Sequence, residues 1–408
     1  MKRVVVTGLG ILSSIGNNQN EVLNALKVGQ SGIDFSKKMQ LSGMRSHICG
    51  KVKLKNNLKI NRSILRIMNK ASLYAYLAAM QAIEDAMISV NLYQKNPRVG
   101  IIVGSSINSP EVQIKALDSM RKRKRVQSIG PYAIIQSMSS SISACLCTVL
   151  KIYGVSYSIS SACATSASCI VNAVELIQLG KQDIIFAGGS EESTWELACL
   201  FDAMGVLSTR YNDQPSTASR PYDLDRDGFV ISEGSGILVL EELNHALLRK
   251  APIYAEIIGC GSASDGYHIV RSSTSGMIRA MRYALKNIDT HLVDYLNVHA
   301  TSTKYGDIQE LNAIHKVFTY PYMPLISSTK SMTGHALGAS GVQEVIYSLL
   351  MLKNNFVAPC INIDHLDVLA KHSNIVRQVM YKKLFFVMSN SMGFGGVNVS
   401  LLFKKLID

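Results

Sequence analysis

Short apolar runs ending in glycine or serine recur along the 408-residue chain, separated by longer stretches with apolar residues at helical spacing. "RVVVTG", "RVGIIVGS" and "DIIFAGG" are too short for helices and rich in β-branched residues, so they predict strands. In "CIVNAVELIQLGK", Ile170, Ala173, Val174 and Ile177 begin one face of a helix. "FVISEGSGILVLEE" predicts a hairpin around Gly234 and Gly236. Alternation of the two patterns predicts a layered α/β fold.

The later part of the chain repeats the order of the earlier part. "IYAEIIGCGSASDG" resembles "KRVVVTGLGILSSIG", each a strand ending in a Gly/Ser-rich turn. "DYLNVHATST" takes the place of "RVGIIVGSS", and "PLISSTKSMTGHALGASGVQEVIYSLLML" parallels "VSYSISSACATSASCIVNAVELIQLG". "FFVMSNSMGFGGVNVSLLF" parallels the glycine-rich hairpin. This order predicts a duplication into two α/β halves, 1–250 and 251–408, with no flexible linker and an insertion at about 105–150 in the first half alone. The early "TGLGILSSIG" lacks the third glycine of a dinucleotide loop, Ser13 occupying its place, and reads as a structural glycine turn.

With 47% hydrophobic and 17% charged residues, the chain has the apolar content for a large core. No uninterrupted apolar run reaches the roughly 18 residues of a membrane span. Gly8 and Gly10 break the run after the basic start and no A-x-A-like site follows, so the opening is read as a first strand rather than a signal peptide. The eight cysteines are scattered without a C-x-x-C pair, which argues against a disulfide framework or zinc site and for a reducing cytoplasm. A net charge of +13 permits an anionic partner. The densest basic run, Arg121 to Arg125, has no interleaved aromatics and does not favour nucleic acid.

The chemistry concentrates where strands give way to small residues. Cys163 follows "YSIS" and opens a helix running to about Leu179, so unpaired N–H groups and the helix dipole favour its thiolate. Ala162, Ala164 and Ser166 leave room for a sharp turn and for a substrate carbonyl, whereas Cys169 reads as a packing residue inside the helix. His299 and His335 end similar strands beside Gly/Ala/Ser/Thr turns, and stacked halves bring them and Cys163 to one cleft. Lys330 and Glu310 are candidate charged neighbours. "NSMGFGGVN", with Phe394 at its centre, exposes N–H groups suited to an oxyanion hole, and reads equally well as a tight hairpin turn.

Together "SSACATSA", "VHATSTKYGD", "TKSMTGHALGASG" and "SNSMGFGGVN" resemble, in order and over the whole length, the motifs of the β-ketoacyl–acyl carrier protein synthases, most closely the type I enzymes. The resemblance implies a thiolase-like fold, two duplicated α/β halves in an α-β-α-β-α stack. It implies that Cys163 takes an acyl chain as a thioester, that His299 and His335 assist loss of carbon dioxide from a malonyl thioester, and that the resulting carbanion lengthens the chain by two carbons. The N–H groups of Cys163 and Phe394 would form the oxyanion hole, with Phe394 also a gate, Lys330 held in an ion network with Glu310, and Thr301 and Thr303 against the pantetheine arm. Arg62, Arg66 and Lys124 would meet an acidic acyl carrier protein. The family needs no metal and no cofactor, since phosphopantetheine arrives on the carrier, and it works as a cytoplasmic homodimer without nucleic acid or membrane.

Four places depart from the type I pattern: Ala300 for glycine, Ser168 for histidine, "SSINS" at 105–109 without its glycines, and "SEGSG" at 232–236. Ile107 occupies a position where type II enzymes carry an isoleucine gate, and Met138 would help shape the same acyl pocket, which implies a partly type II-like chain-length preference. A degradative thiolase needs a second catalytic cysteine, and 391–396 contains none. An initiating type III synthase has Asn where His335 stands, and an inactive partner subunit would lack Cys163.

Overall fold

Ten strands form the main sheet: β1 (Val4–Leu12), β2 (Val99–Gly104), β3 (Ser156–Tyr157), β4 (Ile184–Glu191), β5 (Gly234–Glu242), β6 (Ala255–Ser264), β7 (Tyr295–Asn297), β8 (Leu325–Ser327), β9 (Phe386–Gly393) and β10 (Val397–Lys404). The helices that build the core and the site are α1 (Lys70–Asp85), α2 (Pro110–Arg123), α3 (Ser141–Leu150), α4 (Thr165–Gln178), α5 (Thr274–Ala284), α6 (Lys304–Val317) and α7 (Ser340–Asn354). They are taken from a computed structural model, which describes residues 1–54 and 60–406.

The strand order is β8-β7-β9-β10-β6-β1-β5-β4-β2-β3. The first half, β3-β2-β4-β5-β1, and the second, β8-β7-β9-β10-β6, thus have the same order. Pair directions repeat too: β2 is parallel to β3 and β4, β7 is parallel to β8 and β9, and the remaining pairs are antiparallel. The halves meet where Val5 and Val6 of β1 face Glu256 and Ala255 of β6.

Helices α4 and α7 lie between the halves. Ile170 and Ile177 of α4 and Val342 and Leu349 of α7 share one core with Leu238 and Leu240 of β5 and Leu401 and Phe403 of β10. A helix enclosed on all sides needs no polar face, and positions 340–352 are all buried. Outside the first half, α1 and α3 pack through Ala78, Ala82 and Leu146 on Ile101, Ile237 and Val239. Outside the second, α5 and α6 pack through Met281, Ala284, Leu311 and Ile314 on Met388 and Leu402. The layers therefore run α-β-α-β-α. Successive residues of β5 serve opposite layers, because strand side chains alternate in direction, and burial on both faces explains its unbroken apolar run.

Three expectations change. The segment at Gly8 and Gly10 is not a turn; both glycines lie inside β1. A Cβ on either would strike α1, 2.4 Å from Ala82 O and 1.8 Å from Ala78 O, so their absence of side chains lets helix and strand touch. Gly259 and Gly261 of β6 do the same against Ala284 and Ala280 of α5. Gly234 and Gly236 make no hairpin: β5 is one strand that begins there and pairs with β4, while Val230–Ser232 runs beside His335. Finally, α3 occupies between β2 and β3 the place of α6 between β7 and β8, so the unmatched insertion closes near residue 140, earlier than the sequence suggests.

Candidate active site

After β3 the chain makes a tight turn into α4. Ala162 takes a φ of 49°, a left-handed backbone that a residue with a Cβ adopts at a cost of about 1–3 kcal/mol. Thr165 fixes this turn: its Oγ1 accepts from Ser161 N–H at 2.9 Å and donates to Ala162 O at 2.7 Å. The helix itself begins at Thr165, so Cys163 is just ahead of it rather than inside its first turn. Its half-buried side chain adjoins an apolar cluster that contains Phe201, Phe229 and Leu337, against which Phe394 also packs.

That cluster changes the expectation for the sulfur. Burial pushes the Cys163 thiol up to about 12, opposed by the charge of Lys330 and by the N–H of Phe394. Position before a helix does not offset that loss of water.

Phe394 reaches Cys163 from the other half. It occupies the turn between β9 and β10, and Gly393 before it packs directly on the Cys163 turn. A Cβ at Gly393 would lie 2.8 Å from Ser161 O and 3.2 Å from Cys163 N. The contact brings the N–H of Phe394 to the Cys163 sulfur, and the segment is hairpin turn and N–H donor at once.

His299 follows β7, and His335 lies between the short helix Lys330–Thr333 and α7. Their rings meet edge to face at 5.2 Å between centroids. Lys330 Nζ is 3.4 Å from His299 Nδ1, and the Ser340 hydroxyl is 2.9 Å from His335 Nδ1. The backbone of His335 is pinned on both sides, its N–H donating to Val230 O at 2.8 Å and its carbonyl accepting from Ser232 N–H at 2.9 Å. Burial and the Lys330 charge hold both imidazoles well below their usual range, so both are neutral.

The ionic partner of Lys330 differs from the expected one. Its Nζ pairs directly with Glu344 of α7, both side chains being buried. Glu310 of α6 instead accepts from the N–H groups of His299 at 2.9 Å and Ala300 at 2.8 Å, and from Asn390 Nδ2 at 3.2 Å. It orients the His299 backbone and acts on Lys330 only through its charge. Burial pushes both carboxyls up to about 7. Ala300 tolerates its methyl group because the side chain faces the α5–α6 core.

Sequence reasoning missed Glu344, Ser340 and Glu191. Glu344 left a signal, the single carboxylate of α7. Glu191 ends β4 buried, accepting from Ser105 Oγ at 2.6 Å, Ser106 N–H at 2.8 Å and Gly338 N–H at 3.1 Å. It ties the Ile107 turn to the approach of α7.

The remaining expected residues lie around this centre. Thr301 and Thr303 hold their hydroxyls 3.2 Å apart, Thr303 being the residue just before α6. Ile107 is 42% exposed in the single chain, and the next residue, Asn108, donates to Met138 O, so the two pocket candidates adjoin. Ser168 bonds Ser161 at 2.8 Å, inside the nucleophile turn. Arg62, Arg66 and Lys124 are exposed. Arg66 lines a groove of about 530 Å³ with Lys115 and Ser119 of α2, and Lys124 ends that helix.

Comparison with known proteins gives the family. The chain matches the family described as Beta-ketoacyl synthase, N-terminal domain, over residues 1–246 and that described as Beta-ketoacyl synthase, C-terminal domain, over residues 254–364. It is 62% identical over 408 residues to a 3-oxoacyl-[acyl-carrier-protein] synthase 1 of Buchnera aphidicola subsp. Baizongia pistaciae, covering 100% of both chains. Among solved structures it resembles a β-ketoacyl synthase from Burkholderia phymatum STM815, with a TM-score of 0.93 and 33% identity over 100% of both chains. It also resembles a type II polyketide ketosynthase solved with its acyl carrier protein, with a TM-score of 0.91 and 30% identity over 100% of both chains. Sequence, fold and site agree, and the chain belongs to the β-ketoacyl synthase family of acyltransferases.

Proposed function

We propose that this chain is a type I β-ketoacyl synthase that lengthens carrier-bound acyl chains by two carbons, with Cys163 as nucleophile and His299 and His335 as the decarboxylation pair. The observation that carries the reading is that the Phe394 N–H and the Lys330 charge both act on the Cys163 sulfur, while Lys330 also lies 3.4 Å from His299, whose ring meets that of His335.

The first step is thioester exchange. Cys163 sulfur adds to the acyl carbonyl, whose oxygen takes the N–H groups of Cys163 and Phe394, and the carrier thiol leaves with the proton that Cys163 gives up. The apolar cluster of Phe201, Phe229 and Leu337 suits the acyl tail. In the second step malonyl thioester loses carbon dioxide, and its carbonyl oxygen becomes an enolate stabilised by imidazole N–H donors. A protonated imidazole would quench the carbanion; the neutral pair donates without doing so. The carbanion attacks the Cys163 thioester and expels the sulfur as thiolate, which regains a proton from water.

Acyl carrier protein is the partner this reading requires, delivering both substrates on a phosphopantetheine arm that passes Thr301 and Thr303. A twofold homodimer through β3 and a cytoplasmic setting belong to the same reading; the eight free cysteines support the setting. No helix among the described residues is long and apolar enough to cross a membrane. Ile107 beside Met138 supports a partly type II-like acyl preference.

The test is mass spectrometry after incubation with acyl-carrier and malonyl-carrier thioesters. We expect one acyl adduct on Cys163, a product two carbons longer, and neither in Cys163→Ala. An adduct on another cysteine, or condensation by the variant, overturns the assignment.

A further inference from the structure

The turn after β2, residues 105–109, is tied down at its polar side chains and leaves its one apolar residue, Ile107, exposed. Ser105 Oγ donates to Glu191 Oε1 and Ser109 Oγ to Glu192 Oε1, each at 2.6 Å. Ser106 borders the site: its N–H shares Glu191 Oε2 with the N–H of Gly338, and its carbonyl accepts from Ser160 Oγ at 3.1 Å, just before the Cys163 turn. Asn108 ties the turn to the rest of the insertion. Its φ is 60°, a left-handed backbone that asparagine takes more readily than most residues, and its N–H donates to Ser105 Oγ at 2.8 Å. The orientation of its buried amide is set from outside the turn. Asn69, the N-cap of α1, accepts from Ser72 N–H through Oδ1 at 2.7 Å, so its Nδ2 is left to donate to Asn108 Oδ1 and Gln136 O, both at 2.8 Å. With its oxygen so occupied, Asn108 presents Nδ2 to the carbonyls of Met138 and, at 3.4 Å, Gln136.

From this network we propose that Asn108 is a positioning residue for acyl-chain specificity: by tying the Ile107 turn to Met138 O, it fixes the spacing of Ile107 and Met138 and so the width of the entrance to the acyl pocket. The inference rests on the acyl-pocket reading of Ile107 and Met138 given above. Asn108 does not touch substrate; it acts through its neighbour. While the turn is held, Ile107 yields to a passing chain only by rotation about χ1, and a β-branched side chain has few positions to take. A turn released from Met138 O yields by moving its backbone as well. Long chains, which must pass Ile107, gain more from that release than short ones.

The deciding experiment measures single-turnover acylation of Cys163 by palmitoyl and butyryl thioesters of acyl carrier protein and takes the ratio of the two rates. The ratio is read within one protein, so a loss of folded material cancels. Asn108→Gly keeps the left-handed backbone and removes the tie; Asn108→Asp keeps the acceptor for Asn69 and loses the donor to Met138 O. We expect the palmitoyl-to-butyryl ratio to rise roughly five-fold in Asn108→Gly, the equivalent of one net hydrogen bond, and to rise in Asn108→Asp as well. Ile107→Gly should raise it too, and adding Asn108→Gly to Ile107→Gly should raise it no further, because Asn108 acts only through Ile107. Unchanged ratios in both Asn108 variants beside a changed one in Ile107→Gly overturn the proposal and leave the gate standing. Additive effects in the double variant overturn it as well, since Asn108 would then act by another route. An unchanged ratio in Ile107→Gly means that the gate reading itself has failed, and the proposal falls with it.

Discussion

Glu310 is a carboxylate in a place where water does not reach it, and its effect on stability follows from that. Its folded value is pushed from 4.5 up to about 7 by burial, against the N–H groups of His299 and Ala300 that favour the charged form. A raised carboxyl contributes stability in full below its unfolded value, and that contribution is lost as pH rises through the folded value. Between about pH 4.5 and 7 the side chain should therefore erode stability as it ionises. Glu310→Gln keeps an acceptor for the amides and cannot ionise. We expect its urea midpoint to fall less than the wild type's between pH 5 and pH 8, and parallel curves would show that Glu310 does not titrate there. At this scale the sequence named residues that the fold brings near one another and misassigned some of their relations. Lys330 and Glu310 both belong to the site, but which carboxylate pairs with the lysine depends on how α6 and α7 are turned about their axes. A motif does not record that rotation. For the same reason Cys163 reads as a thiolate from its place before a helix, whereas its apolar neighbours push the thiol up.

Elements meet at the site through absent side chains. Gly393 at the end of β9 and the Ala162–Cys163 turn ahead of α4 come from opposite halves of the chain, and they approach so closely that one methyl group would collide with backbone. Gly393→Ala must push the hairpin away from Ser161 O and Cys163 N, carrying the Phe394 N–H with it. We expect acylation of Cys163 to slow by about 10²-fold, the loss typical of misplacing a catalytic group by an ångström, with the fold retained as judged by circular dichroism. An unaltered acylation rate would mean that the Phe394 N–H is not required for the first step. The repeated order of elements was legible in the sequence because each half writes its strands and central helix in the same periods. The glycines of β1 were not, since glycines spaced two apart in an apolar run look alike in a turn and in a strand pressed by a helix. Only the partner, Ala78 and Ala82 of α1, separates the cases. The supposed hairpin at Gly234 failed for a similar reason: local turn chemistry was present, but Val230–Ser232 found its pairing with His335, a hundred residues away in sequence.

Over the whole molecule the two ends of the sheet differ. At β8 the edge is covered, Ile326 N–H donating to Asn374 O and Ile326 O accepting from Val376 N–H, both at 2.9 Å. At β3 no further strand follows among the described residues, which leaves an open edge of the kind that proteins cover or pair and supports the homodimer proposed through β3. Charge is distributed unevenly as well. The insertion unique to the first half carries the exposed run Arg121 to Arg125 at the end of α2, where cations also complement the helix dipole, and α2 borders the groove lined by Arg66. An acidic carrier approaching this face would meet that positive field before it meets the site, and exposed charges act over about 8 Å at physiological ionic strength. Arg66→Glu combined with Lys124→Glu should therefore raise KM for acyl carrier protein substrates roughly ten-fold, about 1.4 kcal/mol, and leave kcat and the reaction with short pantetheine thioesters unchanged. Added salt should narrow the gap between wild type and variant. Steady-state kinetics with carrier-bound and carrier-free thioesters across a salt series checks this. Equal KM values for the carrier, or an equal loss with the carrier-free substrate, would place the docking face elsewhere.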